Sequence, residues 1–337
     1  TQKPYRTDCI NNVMRTLHGN IITEGPKLYR EGYRYKRIIS PTPCVPGRWP
    51  SVSDAAALEQ TIYATMDLAN NILAPDGTIT TNVGRGKGFN GQEELKNWQA
   101  LNPDKLEEIP NSAFRVYYAV CKDLNNDDVF VFNSPDNHHY KTFRRVGSDS
   151  DINAYDIPAD VYQETVNKVY KAGGCYPLDH HPTPSESDAW LLERGYDYNL
   201  KRNNPNFKKL KATFIEYDHA PDVFIQIPQQ PTNFTQPCFG LTEKVLDHVL
   251  SPTNKGTTHA RARIEKYAKW DMWLYFWMMK VHTNPGENVI LPFAQDGDIT
   301  VAALMADLKP VTIESNLLRH SIQKDIMLEW ARNITYS

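Results

Sequence analysis

The chain has few cysteines, no long apolar run and almost no net charge. Each shortage closes off a class of protein. Its five Cys (Cys9, Cys44, Cys121, Cys175 and Cys238) are odd in number and irregularly spaced. A disulfide-stapled secreted domain needs paired thiols, so a reducing, cytoplasmic setting is expected. No apolar stretch approaches the about 20 residues that a membrane-spanning helix requires. Thr1 opens a polar segment without a signal-peptide pattern. A formal charge of −3 over 337 residues gives no global pull toward a polyanion. Nucleic-acid contact would have to come from local basic patches. What is present is ample apolar matter, 40% of residues, enough for one large domain with an insertion or for two domains. No repeat or low-complexity segment interrupts it.

Residues 8–18 have helical spacing. Tyr35–Ile39 reads as a short strand that stops at Ser40-Pro41, and Pro41, Pro43, Pro46 and Pro50 then forbid regular structure. Ser53-Asp54 can cap a helix carrying Leu58, Ile62, Met66, Leu68 and Ile72. Ala74-Pro-Asp-Gly77 predicts a turn, and 78–84 a strand that ends in Gly84-Arg-Gly-Lys-Gly88. Between about 100 and 255 the alternation of helix and strand fades. Strands are expected at 114–120, 128–132, 213–217 and 223–227, with a helix at 159–171. Basic residues cluster here: Lys141, Arg144 and Arg145, then Arg194, Lys201, Arg202, Lys208, Lys209 and Lys211, the second set interleaved with Tyr196, Tyr198 and Phe207. Regular α/β order returns with an aromatic helix at 261–282, a strand at 289–293, a helix at 299–308, a strand at 311–314 and a last helix to about 331.

The stretch Asn284-Pro-Gly-Glu287 to Asp298, followed by Val311-Thr-Ile-Glu314, is the most informative. Turn, buried strand, Gly-containing loop, helix and second strand ending in an acid is how a Rossmann-like domain holds a nucleoside. The loop has a single glycine, Gly297, and carries Gln295, Asp296 and Asp298 where such loops are usually small.

In order of parts the chain resembles the permuted β-type DNA amino-methyltransferases, which modify N4 of cytosine or N6 of adenine. The counterparts of that family's motifs are Thr7-Asp8-Cys9 for the leading Gly-Asp-Cys, Ser40-Pro41-Thr42-Pro43 for the catalytic tetrapeptide, and Leu73-Ala-Pro-Asp-Gly77. They continue with Asn284-Pro-Gly-Glu287, Leu291-Pro-Phe-Ala-Gln-Asp-Gly297 and Thr312-Ile-Glu314. The match covers both ends, about half the chain. It implies an α/β fold: a class I, Rossmann-like methyltransferase sandwich with a mostly parallel sheet and an inserted target-recognition region. It divides the chain into a catalytic half (1–100), the insertion (101–258) and a cofactor half (259–337). The two ends must then meet in one sheet. The resemblance implies S-adenosylmethionine as cofactor, held by Phe293, Ala294, Gly297 and Glu314, with Ser40 and Pro41 at the target base. It also implies double-stranded DNA as partner, and a bacterial or bacteriophage restriction-modification setting.

The departures fall on the chemistry. Pro43 replaces the aromatic residue that stacks on a flipped base. Leu291 replaces the acid that would meet the cofactor's ammonium group. Three readings follow: a methyltransferase-like DNA-binding protein whose transfer activity is lost or impaired, alone, as a homodimer or beside an active subunit; an active transferase with altered motifs; or an interaction protein that reuses the fold.

Individual residues carry alternatives. Pro43-Cys44 is similar to the nucleophile dipeptide of cytosine C5-methyltransferases, so Cys44 is a candidate catalytic thiol, weighed against a rigid structural loop. Arg85 and Lys87 lie in a glycine-rich loop that suits DNA phosphate or plain solvent. Lys201, Arg202, Lys208, Lys209 and Lys211 suit a nucleic-acid backbone or a solvated face. Cys175, Asp179, His180 and His181 lack zinc spacing, as do His138 and His139, so no metal is expected. Trp270, Trp273 and Trp277 share a helix face and point to core or interface packing.

Overall fold

A computed structural model describes residues 14–41, 52–86, 89–121, 129–131, 138–151, 211–220, 224–226, 269–294 and 297–335. In chain order the elements are β1 (Arg15–His18), α1 (Ile21–Arg30), β2 (Tyr35–Ser40), α2 (Val52–Ile72), β3 (Leu73–Asn82), β4 (Arg85–Gly86), β5 (Phe89–Asn90) and α3 (Gly91–Leu101). Then follow β6 (Leu106–Glu108), β7 (Phe114–Cys121), β8 (Val129–Val131), β9 (His139–Arg145), β10 (Lys211–Tyr217) and β11 (Phe224–Gln226). The chain continues through α4 (Lys269–His282), β12 (Asn288–Pro292), α5 (Asp298–Met305), β13 (Lys309–Glu314) and α6 (Leu317–Thr335).

One 11-stranded sheet runs β1-β13-β12-β2-β3-β9-β7-β10-β11, with β6 on β9 and β8 on β7. From β1 to β3 all neighbours are parallel; β9, β7 and β10 continue antiparallel. The two ends of the chain do meet in one sheet: Val289 and Ile290 of β12 pair with Arg37 and Ile38 of β2. The period-2 alternation of these central strands feeds two cores. Ile38 and Ile290 pack with Ile21, Leu28, Ile62, Met66, Leu95 and Trp98, from α1, α2 and α3. Ile39, Val289 and Leu291 pack with Leu274, Met278, Ile299, Ala302 and Ile326, from α4, α5 and α6. The runs Ile38-Ile39 and Val289–Leu291 are apolar and buried on both faces, as a parallel sheet demands.

The expected helix over 8–18 does not hold where it is described. Arg15–His18 is an edge strand, aligned residue for residue with Val311–Glu314. Tertiary pairing overrides a weak local period. The helix comes next, at α1, in a segment containing Gly25 and Pro26. It forms because Asn20 caps it, its Oδ1 accepting from Thr23 N at 2.9 Å. Gly25 also lets the helix press on α2; a Cβ there would lie 3.3 Å from Leu68. The Ala74–Gly77 turn exists as a bulge inside a longer strand: Tyr35 pairs with Leu73, yet Arg37 pairs with Thr78. The α3 and β9 elements were not anticipated. The expected helix at 159–171 lies outside the described residues.

Strands from 106–145 and 211–226, within the interval read as the insertion, belong to the main sheet. Their register creates a wing. The β7 strand meets β9 only at Phe114 and Arg115. It then runs on past the start of β9, paired with β8 and β10. From Arg115 to Val120 that is roughly 17 Å of strand beyond the carboxyl edge of the parallel strands.

Candidate functional site

The β12 strand leads through α5 to β13 on one side, whereas β2 leads through α2 to β3 on the other. The two crossovers leave in opposite directions and cover opposite faces. The carboxyl ends of β12 and β2 therefore flank a topological switch point, where an open α/β sheet leaves a crevice for a ligand. Along this edge stand His18, Glu314, Pro292, Ser40 and Asn82, the last residues of β1, β13, β12, β2 and β3.

The loop after β12 is bracketed by two left-handed residues, Phe293 at φ 62° and Gly297 at φ 99°. Only the second is a glycine, so Phe293 holds an uncommon conformation that its surroundings must enforce. Several bonds do so. Ala294 N donates to Ile313 O at 3.3 Å, Gly297 N donates to Ala294 O at 3.2 Å, and Val301 N donates to Gly297 O at 2.9 Å. From α6, the buried Gln323 donates its Nε2 to Ala294 O at 3.2 Å and accepts a hydrogen bond from Thr300 Oγ1. Gly297 is the N-cap of α5 and offers no side chain, so the first amides of that helix are left to other partners.

Glu314 closes β13 and is buried. Its Oε1 accepts from Asn316 N at 2.8 Å, and its backbone oxygen accepts from Gly19 N at 3.1 Å. Gly19 is packed under Glu24; a Cβ would come within 2.5 Å of Glu24 Oε1. His18 and His320 stand beside this corner with ring centroids 5.3 Å apart. The helix that precedes the strand of Ser40 starts after Gly19-Asn20. Thr7-Asp8-Cys9 lie outside the described residues.

On the other side of the crevice, Ser40 is 2% exposed, and its hydroxyl donates to Pro41 O at 3.4 Å. Beyond β3, Gly84 N donates to Asn82 Oδ1 at 2.7 Å. Where the wing leaves the edge, buried His139 bridges three elements. Its Nδ1 lies 2.5 Å from Gln92 Nε2 of α3, and its Nε2 lies 2.9 Å from Asp218 Oδ2. Burial pushes the Asp218 carboxyl up, but the hydrogen bond from His139 and the nearby His139, Arg115 and Lys141 charges outweigh it and hold the group below its ordinary range.

The structure thus gathers Ser40, Pro41, Phe293, Ala294, Gly297 and Glu314 on one edge. Arg85 opens β4 close beyond the end of β3. Lys211 begins β10 opposite Val120, far out on the wing. Cys44, Lys87, Lys201, Arg202, Lys208 and Lys209 lie outside the described residues, as do Cys175, Asp179, His180 and His181. Among the described residues no group of three His, Cys, Asp or Glu could hold a metal. Lys141 and Arg144 are taken up internally, by Glu108 at 2.7 Å and Glu107 at 2.9 Å. Arg145 caps the end of α2 through the Asn70 and Leu73 carbonyls. Gln323, His18, Asn20 and Asp218 are residues of this edge that the sequence reading did not single out, and His139 was weighed there only as a metal ligand.

The fold is an α/β one, with a sheet that is parallel from β1 to β3 and antiparallel beyond. Solved structures similar to the chain include M1.HpyAVI bound to SAM, at 10% identity and a TM-score of 0.43, covering 93% of this chain and 98% of that one. They include a putative DNA modification methylase, TTHA0409 from Thermus thermophilus, complexed with S-adenosyl-L-methionine, at 12% identity and 0.41, covering 95% and 96%. A third is the cytosine-N4-specific PvuII DNA methyltransferase, at 10% identity and 0.42, covering 96% and 95%. No protein-family model matches the chain, and no curated protein matches it in sequence. No described helix is long and apolar enough to cross a membrane.

Proposed function

We propose that this is a methyltransferase-like DNA-binding protein in which methyl transfer is lost or strongly impaired. Leu291 carries the reading. It ends up at the switch point, where a carboxylate would face the ammonium group of S-adenosylmethionine, but it is an apolar side chain with no exposed surface. It packs into the core beneath α4 and α5. The nucleoside end fits better: Glu314 sits where ribose hydroxyls are taken, and Gly297 leaves the start of α5 open. The residues therefore suit part of the cofactor and not the rest. Losing a charge-assisted contact costs about 1.5–3 kcal/mol, which weakens binding by roughly one to two orders of magnitude.

Double-stranded DNA is the partner in this reading, gripped by the wing, by Arg85 and Lys87, and by the basic run from Lys201 to Lys211. The recognition function is assigned to 101–258, between a catalytic half and a cofactor half. Calorimetric titration with S-adenosylmethionine tests the first part. Weak or no heat is expected; micromolar binding together with methyl transfer to DNA overturns it. That outcome is the second reading, an active DNA base methyltransferase. The retained Glu314 corner favours it, as does Ser40 set beside the Pro41 carbonyl as two acceptors for an amino group.

A further inference from the structure

We infer that Gln323 is the positioning residue that ties the loop after β12 to the first turn of α5, the junction on which any ligand at the switch point depends. The inference rests on the crevice being a ligand site. Gln323 lies on α6, distant in sequence from the loop, and is 0% exposed. Its amide joins the loop to the helix that follows: the nitrogen donates to Ala294 O at 3.2 Å, and the oxygen accepts from the hydroxyl of Thr300 in the first turn of α5. Thr300 is itself fully buried. The two contacts fall on either side of Gly297, so one planar side chain clamps both the entry and the exit of the left-handed turn. Ala294 O accepts from Gly297 N as well. Its orientation is thereby fixed by Gln323 and passed to the residue that opens α5. The loop needs such a clamp because it contains Phe293 at positive φ and only one glycine. An unclamped chain would relax Phe293 to negative φ and carry the α5 amides away from the crevice.

The test uses the whole protein with Q323L, which keeps the volume and removes both bonds, and T300V, which removes one and is the milder change should Q323L fold poorly. Hydrogen exchange of the amides between 294 and 301, read beside that of the β2 and β12 amides, reports the clamp directly. Titration with S-adenosylmethionine reports its consequence. In both variants, exchange in the loop is expected to rise about tenfold or more while the strands keep their protection, the gap expected when a buried bond is lost. Ligand affinity is expected to fall by a similar factor, and the double variant to lose little beyond Q323L alone. Unchanged loop protection in both variants overturns the inference. So does a rise shared equally by β2 and β12, which would make Gln323 an ordinary core residue. A wild-type protein that binds no S-adenosylmethionine, with the loop still released by Q323L, removes that ligand and keeps the clamp.

Discussion

His282 shows how much one residue can constrain the behaviour of the chain. It ends α4, fully buried, with Nδ1 3.3 Å from Thr80 Oγ1, and Thr80 in turn is 3.0 Å from Thr142 Oγ1. Phe114 stacks over the ring at 6.2 Å. Burial, aided by the positive charge of Arg37, lowers its pKa to about 3. The folded state therefore keeps the ring neutral where the unfolded chain, titrating near 6.5, takes up a proton. The sign follows: stability from this group is fully present above about pH 6.5 and is lost as pH falls toward 3, with a limiting slope of about 1.4 kcal/mol per pH unit. Chemical denaturation between about pH 7 and 4 should show this loss in the wild type, and H282Q should flatten it. An equal slope in the variant would assign the acid sensitivity to carboxylates such as Asp218 and Asp76, whose pKa values are held low.

At the scale of elements, the bulge in β3 is the sharpest constraint. Between Leu73 and Thr78 the strand carries extra residues against β2. Gly77 closes the bulge so tightly that a Cβ would lie 3.0 Å from both the Ala74 and Tyr35 carbonyl oxygens. Those are backbone atoms of a central strand and cannot swing aside. G77A should cost about 1–3 kcal/mol, read as a lower urea midpoint with an unchanged slope. A wild-type midpoint would mean that the bulge opens freely. The same bulge shows what the sequence made legible. Ala74-Pro-Asp-Gly77 announced a turn, and β-branched residues announced a strand. Nothing local said that the turn lay inside the strand, because that depends on β2. The strands β2, β12 and β13 and the helices α2 and α5 were readable because their apolar runs are long and bounded by Pro and Gly. The β1 and α1 elements were not, since His18-Gly19-Asn20 breaks the period in the middle of the window. The candidate residues Ser40 and Glu314 carried a local signature because each ends a strand; Gln323, on a distant helix, carried none, and His139, which opens β9, was weighed only as a metal ligand.

For the whole molecule, the decisive matter is which basic residues are free to meet a polyanion. The net charge is slightly negative, so under the proposed reading any affinity for DNA must come from a few local cations. The fold sorts them. Lys141, Arg144 and Arg145 lie on β9 in the body of the sheet and are already neutralised or capping a helix. Lys211 stands on the wing, beyond the carboxyl edge, and Lys208 and Lys209 precede it by three and two residues in the chain. A duplex seated against the wing would lie over the same edge as Ser40 and Glu314. Each phosphate contact on B-DNA contributes about 0.9 to the slope of log affinity against log salt. Replacing Lys208 and Lys209 with Ala should thus flatten the slope by about 1.8, with affinity falling most at low salt. K141A, whose partner is Glu108, should leave it unchanged. Gel-shift titrations at several salt concentrations separate the two. If the double variant keeps the wild-type slope while K141A lowers it, DNA engages the body of the sheet instead, and the wing is removed from the interface.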